Sequence, residues 1–154
     1  MSEGMKEAAR QVEEFFGELL EQSGLDLEME VEEAGENVEV RLSGSDSEVL
    51  LSNSAKALDA LNDLGNQIFL RRMGQRIEVD CEDYRLTRIL ELELLARNAA
   101  EKTRLSGLSF RFQPMPPSER RTIHVTLAEE PGVRTESQGM GTSRHVVVYP
   151  DASG

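Results

Sequence analysis

The sequence contains one cysteine, no tryptophan and few other aromatic residues among its 154 positions. A single cysteine, Cys81, cannot form a disulfide within the chain, which favours a reducing cytoplasm over an extracellular setting. No apolar run is long enough to cross a bilayer, and the acidic start lacks the basic and apolar parts of a signal peptide. We therefore expect a cytoplasmic protein with no membrane insertion.

The sequence is also poor in residues that carry out chemistry. Its one cysteine and two histidines, His124 and His145, have neither the spacing of a nucleophile with its base nor that of a zinc site. It contains no Walker or dinucleotide-binding glycine motif. We therefore expect no enzymatic activity, no metal and no cofactor.

Negative charge is concentrated at the start of the chain. Residues 1–50 hold three basic and fifteen acidic residues, which account for the whole net charge of −12, and the remainder holds fourteen of each. Within residues 104–124, four arginines accompany one acid, Glu119. The chain therefore has an acidic first third, a neutral remainder and one locally positive window.

The first half alternates between helical and strand patterns. Apolar residues recur at three- and four-residue spacing over residues 3–22, which predicts an amphipathic helix, and they alternate with polar residues over 25–32 and 38–42, which predicts a hairpin. A short apolar piece, a longer helix ended by Gly74 and a short strand follow. The predicted order is helix, strand, strand, short helix, helix, strand.

The second half predicts a long helix ended by Gly107, a strand, a second helix and two closing strands. Pro116 and Pro117 suit the first turn of a helix that we expect over residues 118–130. The segment "QGMG" lies between the two closing strands and is typical of a turn. With no long linker, residues 80–83 are the best candidate for a domain boundary.

Four segments carry a resemblance to a known family: "VDCEDYR", "LARNAAEKTRLSG", "QPMPPSERRTIH" and "TESQGMGTSRHVVVYP". Together they resemble the C-terminal part of the bacterial Jag family, whose members join a KH domain to a domain named for its Arg-x-x-x-His, here called the R-three-H domain. The resemblance covers nearly the whole chain and is strongest from Val79 onward. We find no counterpart of the separate N-terminal Jag segment and linker.

The resemblance implies an α+β fold. It predicts a type II KH-like domain (α-β-β-α-α-β) at residues 1–81, a small R-three-H domain with helices on a three-stranded sheet at 82–150, and a tail at 151–154. KH domains clamp single-stranded RNA or DNA with a GxxG loop, and R-three-H domains are associated with single-stranded nucleic acid. The implied protein is a single-stranded nucleic-acid-binding regulator, with RNA favoured, and the family is linked to cell shape, elongation and division.

The KH loop departs from the family pattern. Its place falls on Ser52, Asn53, Ser54 and Ala55, so both glycines are absent and Lys56 is the only nearby cation. Glycine lets a backbone approach phosphate closely and adopt positive φ, and we expect the side chains of Ser52 and Ala55 to obstruct that approach. The interpretation is a degenerate KH loop that has lost ordinary nucleic-acid binding.

The R-three-H half keeps its signature in Arg120 and His124, which share one face if their segment is helical. Arginine offers a fork of donors to phosphate, and histidine can donate to phosphate or sugar and stack on a base. The other predicted contacts add charge or turn amides: Arg121, Arg144, Gly139 and Gly141.

Other interpretations of these residues remain open. An arginine and a histidine on one helical face often bind a carboxylate or hold the fold, and "QGMG" can be a turn alone. His145, within a strand, is by default packed or solvated. A second function is a protein-interaction or dimerisation module in cell elongation and division, with a partner KH protein or a second copy of the chain and little nucleic-acid binding.

Overall fold

The computed structural model describes residues 3–153 and divides the chain into two compact units, residues 1–85 and 86–154. The fold is mixed α+β, with helices and two small three-stranded sheets. No helix within the described residues is both long enough and apolar enough to span a membrane. The predicted domain limits at residues 81 and 82 stay a prediction.

The first unit contains two helices and three strands. The elements are α1 (Glu3–Ser23), β1 (Glu28–Ala34), β2 (Asn37–Ser43), α2 (Ser47–Met73) and β3 (Arg76–Cys81). β1 and β2 form an antiparallel hairpin, and β3 pairs parallel to β2. A parallel neighbour requires a crossover, which α2 supplies.

The core of the first unit lies between the two helices and one face of this sheet. Alternate residues of β2 and β3 are buried there because successive side chains of a strand point to opposite faces. The helices contribute apolar stripes to the same core, including Val12 and Phe16 of α1 and Leu58 and Phe69 of α2. Glu28, Glu30 and Glu32 of β1 are exposed on the other side of the strand, as predicted, whereas Glu33 is half-buried on the same side as Met29 and Val31.

Residues 52–55 interrupt α2, so the predicted short helix and longer helix are two helical pieces on either side of a kink. Ser52 is extended, and the next three residues are left-handed, with φ of 52°, 59° and 56° for Asn53, Ser54 and Ala55. Left-handed backbone costs about 1–2 kcal/mol for a residue with a Cβ atom. The loop therefore has a conformation that favours glycine, although none of its residues is glycine.

The second unit places two helices against an antiparallel sheet. It contains α3 (Tyr84–Ser106, whose first two residues belong to the first unit), β4 (Phe110–Arg111), α4 (Pro117–Leu127), β5 (Val133–Gln138), a 3₁₀ turn (Gly141–Ser143) and β6 (His145–Pro150). The strand order is β4-β6-β5. Leu92 and three alanines of α3 pack with Ile123 and Leu127 of α4 and with Val146 and Val148 of β6.

The limits of β1 and α4 differ from the sequence prediction. β1 begins at Glu28 because the main chain of Asp26 is held by the Asp46 carboxylate, at 2.7 Å from the Asp26 nitrogen. β4 has only two residues. α4 ends at Leu127 rather than residue 130, and the following turn is held by Arg104, which donates to Glu130 Oε1 at 2.7 Å and to the Pro131 carbonyl at 3.1 Å.

Candidate nucleic-acid interface

Arg120 and His124 lie on α4, four residues apart and both half-buried. α4 forms here because Pro116 and Pro117 preset its start and because Ile123 and Leu127 anchor its apolar face in the core. Residues four apart lie on one face of a helix. The predicted pairing of these two side chains on one helical face therefore agrees with the helix limits.

The imidazole of His124 is held between α4 and β5. Its Nδ1 lies 2.6 Å from Thr135 Oγ1 and its Nε2 lies 2.7 Å from Ser137 Oγ. Thr135 and Ser137 are two residues apart in β5, so both hydroxyls project from one face of the strand. A hydroxyl can donate or accept, which lets the pair satisfy either neutral tautomer of the ring.

The structure brings Arg144 to Arg120 through the main chain of Met115. The Met115 amide donates to the Arg144 carbonyl at 3.2 Å, and the Met115 carbonyl accepts from Arg120 Nε at 3.2 Å. Neither Nη group of Arg120 has an acceptor within residues 3–153. The outer donors of Arg120 are therefore available to an anionic ligand.

The electrostatics of His124 show that both arginines act on it. Burial lowers the pKa of His124, and the positive charges of Arg120 and Arg144 lower it further. A lowered pKa favours the neutral imidazole. Arg120, His124 and Arg144, which we call the α4 cluster, therefore form one electropositive site around a neutral ring.

The three remaining predicted site residues, Arg121, Gly139 and Gly141, lie outside the α4 cluster. Arg121 is exposed on the adjoining face of α4, with no hydrogen bond or ion pair to the described part of the chain. Gly139 and Gly141 lie in the β5–β6 hairpin loop, where both have positive φ. Arg144 Nη1 donates to the Gly139 carbonyl at 2.8 Å, which connects this loop to the α4 cluster.

Two arginines of the positive window hold the fold instead. Arg104 binds Glu130, and Arg111 Nε donates to His145 Nε2 at 3.0 Å. His145 is buried, and its Nδ1 lies 2.9 Å from the Ser143 carbonyl, so of the two default expectations, packed or solvated, it is the packed one. The window is therefore less available to a ligand than its composition indicates.

Glu119, the acid within the window, is neutralised by α3. Arg88 binds it with two hydrogen bonds, Nε to Oε1 at 2.9 Å and Nη2 to Oε2 at 3.1 Å. Glu119 raises the pKa of Arg88, as expected for a bidentate ion pair. The carboxylate beside Arg120 in the sequence thus has its own cation within the unit.

The loop at residues 52–55 requires one correction. Ala55 has no exposed surface and belongs to the core of the first unit, so its methyl group does not obstruct a ligand as we expected. Ser52, Asn53, Ser54 and Lys56 are exposed, and Ser52 Oγ donates to the Val49 carbonyl at 3.3 Å. Of the two side chains that we expected to obstruct a ligand, only Ser52 lies at the surface.

Sequence reasoning missed Met115, Thr135 and Ser137 as parts of the site. The two hydroxyl residues were visible as an alternating pair in a predicted strand, but nothing in the sequence shows that β5 lies beside α4. Met115 contributes through its main chain, for which side-chain chemistry gives no signal.

Comparisons with known proteins cover the part of the chain that contains these residues. Residues 90–150 match the family model of the R-three-H domain, and this span includes the α4 cluster. Residues 90–150 are therefore similar to R-three-H domains, and the helices and the sheet of the second unit are consistent with that similarity.

The curated relatives extend the similarity into the first half. The chain is 33% identical over 126 residues to the RNA-binding protein KhpB of Clostridium symbiosum, covering 80% of this chain and 57% of the relative. It is 34% identical over 122 residues to the KhpB protein of Bacillus subtilis (strain 168), covering 77% and 59%. These relatives and the domain match confirm the predicted resemblance to the Jag family. The chain spans less than two thirds of their length.

Proposed function

We propose that this chain is a non-enzymatic, cytoplasmic regulator that binds single-stranded nucleic acid, with RNA favoured, through its R-three-H half. The observation that carries the proposal is the α4 cluster, in which Arg120 and His124 share one face of α4 and the main chain of Met115 joins Arg144 to Arg120. The R-three-H match and the relatives named as RNA-binding proteins support the same class of ligand.

The chemistry of the cluster suits a phosphate next to a base. The Nη donors of Arg120 fit the oxygens of a phosphate. His124 uses both ring nitrogens within the unit, so its ring face and edge, rather than its nitrogens, meet the ligand. Arg121 and Arg144 add positive charge, and the Gly139 to Gly141 loop completes the edge of the site.

Charge distribution supports binding through this half rather than the first. Residues 86–154 hold nine basic and eight acidic residues, a net +1, whereas residues 1–85 hold eight basic and twenty-one acidic residues, a net −13. Phosphate contacts supply most of the affinity for a nucleic acid. We therefore expect weak and salt-sensitive binding at the α4 cluster.

We propose that residues 1–81 form a type II KH-like domain with a degenerate loop, residues 82–150 the R-three-H domain, and residues 151–154 a tail. The element order, the β1-β2-β3 sheet and the kink at residues 52–55 support the KH-like assignment. The exposed Ser52 side chain and the lack of glycine support a loop that contributes little to binding.

The test is a titration of labelled single-stranded RNA and DNA against variants of the full chain. Arg120→Ala combined with His124→Ala should abolish binding because it removes the phosphate fork and the ring together. A matched variant in the other unit, Asn53→Ala with Ser54→Ala and Lys56→Ala, should bind like the parent because these exposed loop residues lie outside the R-three-H half.

Thermal unfolding of each variant separates lost binding from lost folding. Equal binding by the parent and a folded Arg120, His124 double variant would contradict the site assignment. A loss confined to the loop variant would assign binding to the KH-like half instead.

A second candidate function is docking of a protein, either a partner KH protein or another copy of the chain. The observation that favours it is an open groove of about 930 Å³ between α1 and the end of α2, whose lining includes Phe15, Ile68, Arg71 and Arg72. Light scattering distinguishes this role, since self-association raises the mass above the 17.2 kDa of one chain.

A further inference from the structure

Met140 is the most exposed large apolar residue in the described part of the chain, with 85% of its surface accessible. It lies at the tip of the β5–β6 hairpin, between Gly139 and Gly141. Burying an apolar side chain is favourable, so an exposed methionine in this loop offers apolar surface to a ligand.

The hairpin tip holds the Met140 backbone in one position. Ser143 donates to the Met140 carbonyl twice, from its amide at 3.1 Å and from its hydroxyl at 2.7 Å. Gly139 has φ of +87°, and a Cβ atom there would lie 2.9 Å from the Ser143 carbonyl oxygen. The loop is therefore closely packed against its own main chain, which limits the positions that Met140 can adopt.

The same loop is fixed to the α4 cluster. Arg144 Nη1 donates at 2.8 Å to the carbonyl of Gly139, the residue before Met140. Arg144 also acts electrostatically on His124, beside Arg120. Met140 thus directly follows Gly139, and the carbonyl of Gly139 is bound by Arg144, which belongs to the proposed phosphate site.

We propose that Met140 packs against the unpaired base of a nucleotide whose phosphate lies at Arg120 and Arg144. This inference rests on the proposed function, and it adds an apolar base contact to a site where only the His124 ring otherwise meets a base. Phosphate contacts position a nucleic acid, whereas base contacts require bases that are free to leave the stack. The methionine thioether is flexible and polarisable and packs well against aromatic rings.

The experiment compares the parent with Met140→Ala on three probes of equal length: single-stranded RNA, the same RNA as a duplex, and an abasic strand that keeps the phosphates and sugars. Met140→Ala should weaken binding to the single strand about five- to tenfold by fluorescence anisotropy, because several apolar atoms lose their contact. Affinity for the duplex and the abasic strand should stay within about twofold of the parent, and the slope of affinity against salt should not change.

Two further variants control for surface and fold. Leu105→Ala removes another highly exposed apolar side chain from the same unit and should leave all three affinities unchanged. Met140→Leu should recover most of the single-strand affinity because it restores apolar contact.

Three outcomes would overturn the inference. Unchanged single-strand affinity in Met140→Ala contradicts it while leaving the proposed function standing. An equal loss on the abasic strand shows that the substitution damaged the loop rather than a base contact. Failure of the parent to bind any probe overturns the proposed function and this inference together.

Discussion

Both ring nitrogens of His124 contact hydroxyl groups of β5, so this residue holds α4 against the sheet as well as lining the proposed site. Arg120 and His124 can therefore both hold the fold and bind a ligand, because the two roles use different atoms of each side chain. In Arg120, Nε holds the Met115 carbonyl while the Nη groups face no acceptor among the described residues. Fold and function can thus be separated by substitutions that keep one set of contacts.

At the residue scale we predict a pH-dependent stability that depends on His124. Burial and two nearby arginines lower the pKa of His124 in the folded chain below its ordinary value of about 6.5. The unfolded chain therefore binds more protons between these two pKa values, so this contribution to stability is complete above the ordinary pKa and is lost as the pH falls through the folded one.

The measurement is urea unfolding of the parent and of His124→Gln at about pH 7.5 and about pH 5.5. The parent should lose more free energy of unfolding on acidification than the glutamine variant, which cannot titrate. Equal losses in the two proteins would show that His124 does not contribute to the acid sensitivity.

At the element scale, we expect the loss of stability in the β5–β6 hairpin to depend on which of its two glycines is replaced. Gly139 and Gly141 both have positive φ, but only Gly139 lies close to other backbone, since a Cβ atom at Gly141 would meet nothing within 4 Å. Replacing Gly141 therefore measures the cost of positive φ alone, and replacing Gly139 measures that cost together with the cost of close packing.

We predict that Gly139→Ala costs about 2–3 kcal/mol of unfolding free energy and Gly141→Ala about 1 kcal/mol, because the first adds a clash to the strain of positive φ. Gly139→Ala should also weaken single-strand binding more, since it displaces Met140 and the carbonyl held by Arg144. Urea denaturation and anisotropy measure the two effects. Similar values for both variants would indicate that the loop relaxes around the added methyl group.

The helices and strands show what local sequence patterns can predict and what they cannot. The α1 stripe, the alternation in β1 and β2 and the double proline before α4 each predicted an element that the structure contains. The limits of β1 and α4 were wrong by a few residues because side chains distant in sequence, Asp46 and Arg104, hold the adjoining turns. Periodicity reports the preference of a segment for a face, and it carries no information about such long-range hydrogen bonds.

At the scale of the whole molecule, charge is divided unequally, with −13 in the first unit and +1 in the second. A strongly negative protein repels a polyanion over a Debye length of about 10 Å at moderate salt. Removing acid from the chain should therefore strengthen binding of a nucleic acid at low salt.

We predict that Glu28→Gln with Glu30→Gln raises affinity for single-stranded RNA about two- to threefold at low salt and leaves it unchanged at about 0.5 M salt. Both side chains are exposed on β1 and have no hydrogen-bond or ion-pair partner within residues 3–153, so the fold should not change. Anisotropy at two salt concentrations measures the effect. An increase that persists at high salt would point to a direct contact rather than to long-range repulsion.

The sequence by itself determined the order of the helices and strands, though not all of their limits, the separation of acid from base, and the shared helical face of Arg120 and His124, because these follow from residue order and local periodicity. Only the tertiary structure decided which of the basic side chains remain available to a ligand. It joined Arg144 to the pair through Met115, engaged Arg104 and Arg111 within the fold, and moved Ala55 from the loop surface into the core. Each of these outcomes depends on a contact between segments far apart in the chain, where the geometry of packing rather than residue type sets which groups meet.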